Sequence, residues 1–85
     1  MVVHGLVQGV GFRVRTARAA RELGVTGSAR NLPEGTVEVI AFGSHQSVDA
    51  LTAWITGPSA PGRVDDVEVT RLPEGRATPS SFTTG

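Results

Sequence analysis

"VTGSARNLPEGTVEVIAF", Val25 to Phe42, reads as two strands closing on a short turn. Val37, Val39 and Ala41 alternate with Glu38, which is the pattern of a half-buried strand. Pro33 and Gly35 supply the turn chemistry between the two runs. On both sides of this hairpin the period lengthens to that of a helix. Before it, Phe12, Thr16, Ala19, Ala20 and Leu23 share one helical face, while Arg15, Arg18 and Glu22 line another. Arg18 and Glu22 stand four apart, and Gly24 lies just past the last periodic residue, so the first helix spans about Phe12 to Leu23. After it, Val48, Leu51, Thr52 and Ile55 mark a second amphipathic helix, with Ser44 as its N-cap, Asp49 early in it and Gly57-Pro58 ending it.

The outer segments complete the plan. Met1 to Val7, with three valines, reads as a short strand. "RVDDVEVTRL", from Arg63, resumes strand alternation through Val67 and Val69. A second "LPEG" at Leu72–Gly75 is turn chemistry used twice, since nothing around it repeats, and Phe82 among Ser and Thr suggests a short last strand. The order is β-α-β-β-α-β with a small extra strand. This is an α+β, ferredoxin-like split βαβ: an antiparallel sheet with two helices packed on one face. Such a fold hosts many unrelated activities, so function has to be read from a site.

Composition narrows the classes. The 85 residues suffice for one domain, residues 1–85, and are too few for two. A domain this small buries only about 60–65% of its unfolded surface, so its core is thin. With 3 Phe, 1 Trp and no Tyr, that core must be mostly Val, Leu, Ile and Ala. The 8 basic and 8 acidic side chains balance, leaving no electrostatic footprint for nucleic acid or an anionic membrane. The absence of cysteine excludes disulfides, thiolate nucleophiles and cysteine-ligated metal. No apolar run approaches the about 18 residues of a membrane span, and no signal-peptide pattern is present, so a cytoplasmic protein is expected. All eight basic residues are arginine. A lysine-free chain has no Walker-type phosphate loop and no Schiff-base chemistry, although genomic GC bias accounts for the composition itself.

"GLVQGVGFRVR", Gly5 to Arg15, is the stretch with chemistry in it. Three glycines in seven positions weaken a strand and suit a loop whose backbone must approach something closely. A loop between a strand and a helix N-terminus has backbone N–H groups without partners, and glycines let them converge into a nest that suits phosphate. Arg13, in the first helical turn, is then oddly placed. A cation there is unfavourable by roughly 0.3–1 kcal/mol unless an anion lies between it and the dipole. A bound phosphate would relieve the conflict and receive a bidentate guanidinium fork. A glycine-rich corner with a solvated arginine fits these residues equally well, and the spacing lacks the full dinucleotide fingerprint.

"GLVQGVGFR" followed by "GSARNLPEGTVEV" resembles the two signature blocks of acylphosphatases, small ferredoxin-like enzymes that hydrolyse acyl phosphates. The similarity extends to "GVTG", the "SVDALTAWI" helix, the "GP" after it and the "RVDDVEV" strand. The resemblance implies that Gln8, Gly9, Val10, Gly11, Phe12 and Arg13 form the loop holding the phosphoryl oxygens, with Arg13 as the binding and catalytic arginine. It implies that Asn31 orients the attacking water. Taken alone, Asn31 before "LPEG" reads as a turn-starting asparagine; the family match supplies the other role. An acyl phosphate has a good leaving group, so the implied chemistry needs positioning and charge stabilisation, with no metal and no cofactor.

Some positions depart from the family pattern. Ser28 stands where an aromatic is common, Ala29 where a larger aliphatic is usual, and Leu6 where a basic residue is frequent. The first strand is also short, which would forfeit ladder hydrogen bonds, each worth about 0.5–1.5 kcal/mol net. Looser packing next to Asn31 is therefore expected. Other candidates read as structural: His4 as a strand histidine, His45 as exposed in the second helix cap, and Asp65-Asp66 as solvated strand acids without metal-ligand companions. Trp54 reads as core, and Ser59, Ser80 and Ser81 lie in loops with no nucleophile elbow. The expectation is a stand-alone, monomeric enzyme acting on a small acyl phosphate, with no nucleic acid or membrane partner. The competing reading is a non-catalytic ferredoxin-like module that binds an anion or docks a partner.

Overall fold

The computed structural model describes residues 1–70 and 78–85, and the second "LPEG" lies outside them. In chain order the elements are β1 (Val2–Leu6), α1 (Phe12–Glu22), β2 (Thr26–Asn31), β3 (Val37–Phe42), α2 (His45–Thr56), β4 (Arg63–Glu68) and β5 (Phe82–Thr84). They form one five-stranded sheet in the order β4-β1-β3-β2-β5.

The β2–β3 hairpin runs in register from Thr26 opposite Phe42 to Asn31 opposite Val37. Its turn is closed by the Leu32 N–H donating to the Thr36 carbonyl at 2.9 Å. β1 pairs antiparallel with β3 on one side and β4 on the other, with a bulge between His4 and Gly5 on the β4 side. The last strand departs from the expected antiparallel sheet: β5 runs parallel to β2, Gly27 beside Phe82. The direction of a strand is a relation between segments, and periodicity within β5 carries no information about it.

The alternation read from the sequence becomes two sheet faces. Val3, Val37, Val39 and Ala29 point inward and are fully buried. They meet Phe12, Ala17 and Ala20 of α1 and Leu51 and Ile55 of α2 in one apolar cluster, closed at the β5 edge by Phe82. Aliphatic residues do fill most of this core, at roughly 1.5–3 kcal/mol per fully buried large side chain. α1 ends one residue earlier than its periodicity suggested, with Leu23 as C-cap, and the Arg21 guanidinium donates to the Phe82 carbonyl at 2.8 Å. The Ser44 hydroxyl caps α2, accepting from the Ser47 N–H at 3.1 Å. Trp54 is half-buried rather than core; its ring lies 6.4 Å from that of Phe12 at the margin of the helix layer.

Candidate active site

The loop from Gln8 to Gly11 is held at both ends by the core. Val7 before it and Phe12 after it are each 1% exposed, whereas Gly9, Val10 and Gly11 lie at the surface. Gly9 and Gly11 adopt φ of 76° and 78°, the left-handed region that side chains avoid. This path turns the chain directly from the end of β1 into the first turn of α1, with Gly11 as N-cap.

The helix start is bare in a specific way. Gly11 offers no side-chain cap, and no acidic residue stands in the first turn. Helix starts are usually capped by Ser, Thr, Asp or Asn. The first backbone hydrogen bond is Arg15 N–H to the Gly11 carbonyl at 3.0 Å, and among the described residues no backbone N–H from Gly9 to Val14 has a protein acceptor. These donors lie at the start of α1, where the helix dipole is positive. Arg13 is half-buried beside them and makes no ion pair or side-chain hydrogen bond among the described residues. A guanidinium with open donors and a set of free N–H groups can together take a tetrahedral dianion.

Gln8 performs a task that residue type alone did not suggest. Its side-chain NH₂ donates both hydrogens across to the β2–β3 turn, to the carbonyls of Leu32 at 2.8 Å and Thr36 at 2.9 Å. The loop is thereby tied to the turn that starts directly after Asn31. Asn31 is the last residue of β2, paired with Val37, and its exposed amide makes no hydrogen bond among the described residues. Both parts of the site expected from sequence thus belong to adjoining segments. A glutamine within a glycine-rich loop is the only hint the chain carries of this tie.

Among the remaining candidates, His4 has a partner 64 positions away: its imidazole hydrogen-bonds the Glu68 carboxylate at 2.5 Å. Its ionisation is pushed up, chiefly by this bond and secondarily, against slight desolvation, by the charges of Glu68, Asp66 and Glu34. Asp65 engages Arg63 at 2.9 Å, and Asp66 is exposed on β4. Two surface grooves of about 220 and 380 Å³ lie elsewhere, the first lined by Arg15, Arg18, Trp54 and Ser59, the second between α2 and β4. Neither includes the Gln8–Arg13 loop. A phosphoryl group needs a shallow ring of donors rather than a deep cavity, so groove size does not locate such a site.

Comparison with known proteins matches most of the chain to one family. A family model described as Acylphosphatase matches residues 1–84. A curated protein named Acylphosphatase from Paenarthrobacter aurescens is 48% identical over 66 residues, covering 78% of this chain and 70% of that one. The crystal structure of acylphosphatase from Bacillus subtilis superposes with a TM-score of 0.81 at 30% identity, over 99% of this chain and 92% of that chain. The crystal structure of T. kodakarensis HypF superposes with a TM-score of 0.83 at 26% identity, over 100% of this chain and 12% of that much longer one.

Proposed function

The chain belongs to the acylphosphatase family, and we propose that it hydrolyses acyl phosphates by direct attack of an Asn31-held water on phosphorus. It is a hydrolase whose substrates are small acyl phosphates. In the proposed step the backbone N–H groups of the Gln8–Arg13 loop and the Arg13 guanidinium bind the phosphoryl oxygens. The Asn31 carboxamide oxygen accepts a hydrogen bond from water and aims its lone pair at phosphorus. The new P–O bond forms as the bridging P–O bond breaks, and its electron pair leaves on the carboxylate. Both protons of the water remain on the product, inorganic phosphate in its dihydrogen form, which then ionises to solvent.

Charge accumulates on the equatorial oxygens in such a transition state, where preorganised donors act most strongly. A carboxylate leaves without protonation, so no general acid, metal ion or cofactor takes part in this mechanism. The observation that supports the reading is the Gln8 side-chain bridge, which ties the glycine loop to the turn that directly follows Asn31. We further propose that residues 1–85 act as one monomeric domain in the cytoplasm. Among the described residues, no helix is long and apolar enough to cross a membrane.

Hydrolysis of acetyl phosphate in the presence of EDTA, for wild type, Arg13→Ala and Asn31→Ala, tests the mechanism. Each variant should stay folded by circular dichroism and lose about 10²–10³ in kcat, the effect of removing one preorganised donor. A folded Arg13→Ala that keeps most of its activity would sink the assignment. Phosphate binding by wild type without turnover would instead support an anion-binding module.

A further inference from the structure

Four large apolar side chains are conspicuously exposed among the described residues: Leu6 at 61%, Val10 at 42%, Val14 at 67% and Val69 at 57%. Val69 follows Glu68, which pairs with Val2 at the start of β1, so it lies at the opposite end of the sheet from the loop. The other three bracket the loop. Leu6 is the last residue of β1, Val10 is its apex, and Val14 stands in the first turn of α1. Val10 leans towards Gly62 at the start of β4, where the Leu6 carbonyl also closes in, so Leu6 and Val10 border the same patch of backbone.

Exposed aliphatic side chains are individually common, but their concentration around an anion nest is not expected from chance placement on a small surface. Resting on the acyl phosphate reading above, we propose that Leu6, Val10 and Val14 form a rim that contacts the acyl group, selecting apolar, uncharged acyl phosphates. The phosphoryl group fixes the occupant: the acyl carbon lies one bridging oxygen away from phosphorus and must emerge over whatever borders the loop. The cation across the strand from Leu6 is already paired. Arg63, opposite Leu6 in the strand register, is engaged by Asp65 at 2.9 Å.

The test is a series of acetyl, butyryl and hexanoyl phosphates, whose carboxylates leave with nearly equal ease, so that chain length isolates apolar contact. Wild type should show kcat/KM rising about tenfold from acetyl to hexanoyl phosphate, as expected for partly burying four methylenes. The double variant Leu6→Thr, Val14→Thr should lose most of that rise while hydrolysing acetyl phosphate within about twofold of wild type. Binding of acetylphosphonate and hexanoylphosphonate by calorimetry reads the rim without turnover. If acetyl phosphate is not hydrolysed but the longer phosphonate binds more tightly, the catalytic reading fails and the rim stands. Equal kcat/KM and equal phosphonate affinity along the series overturn the rim. So does a flat series accompanied by self-association that the double variant abolishes, because a second copy would then be the occupant.

Discussion

A glutamine side chain offers two N–H donors on one nitrogen, and in Gln8 both are spent on the carbonyls of a single turn. Two bonds from one rigid amide fix direction as well as distance, which a single contact would not. The loop conformation also depends on Gly9 and Gly11, whose left-handed backbone leaves its N–H groups pointing outward, but their freedom alone would allow several paths. Gln8 selects one. Gln8→Leu keeps approximate size and removes both bonds, leaving the Leu32 carbonyl with the Gly35 N–H at 3.3 Å and the Thr36 carbonyl with the Leu32 N–H at 2.9 Å as remaining donors. We expect a stability loss of about 1–3 kcal/mol in urea unfolding. We also expect kcat for acetyl phosphate to fall by more than binding of inorganic phosphate does, since the segment bearing Asn31, proposed to hold the water, would lose its position relative to the loop. An unchanged kcat would show that the turn is placed by the sheet alone.

At the scale of elements, β2 is the strand that delivers Asn31, and its weak point is Gly27. This residue has φ of 135°, and a Cβ there would overlap the Ile40 carbonyl of β3. Phe82 of β5, 1% exposed, is its neighbour on the other side. Gly27→Ala therefore imposes both backbone strain and a clash with backbone, which cannot swing away as a side chain could. Strain alone costs of order 1–3 kcal/mol. For a chain of this size the thermal midpoint should drop by at least about 5 °C. A variant melting within a degree of wild type would show that the strand can slide at no cost. The concern raised by Ser28 and Ala29 resolves differently at each position. Ala29 is fully buried beneath α1, where a larger side chain would have to displace the helix, whereas Ser28 is half-buried on the open face opposite Ile40.

Across the whole molecule, β1 shares only two register pairs with β3 but five with β4, so its outer partner matters to its hold on the sheet. The His4–Glu68 bond spans that β1–β4 seam. Glu68 raises the His4 ionisation above its ordinary 6.5, so the folded chain binds the proton more tightly than the unfolded chain. The stabilisation from this pair is thus fully present below about pH 6.5 and disappears as pH rises through the raised folded value. Urea midpoints of wild type and His4→Gln should differ most near about pH 6 and converge by about pH 9. A gap that widens with pH would mean that the neutral imidazole, donating its N–H to Glu68, is the stabilising form. The bond is solvent-exposed, so its effect should also shrink in high salt.

Much of this protein was legible in the chain because its signals are local. Both helices and the hairpin follow from apolar spacing within a dozen residues, and Ser44 declares its helix start by its own hydroxyl. The loop proposed to bind the phosphoryl group drew notice in the sequence too, since an arginine at the positive end of a helix is unfavourable without an anion or solvent beside it. The family blocks added the pairing of that loop with Asn31. Other features needed the folded chain. The parallel course of β5, the bulge at Gly5 and the His4–Glu68 bond join segments whose relative register no local pattern encodes. The same holds for Gln8, whose partners lie 24 and 28 positions away. Residue types determined which local structures form and which charges seek partners; cross-strand register, a property of the assembled sheet, decided which of them meet.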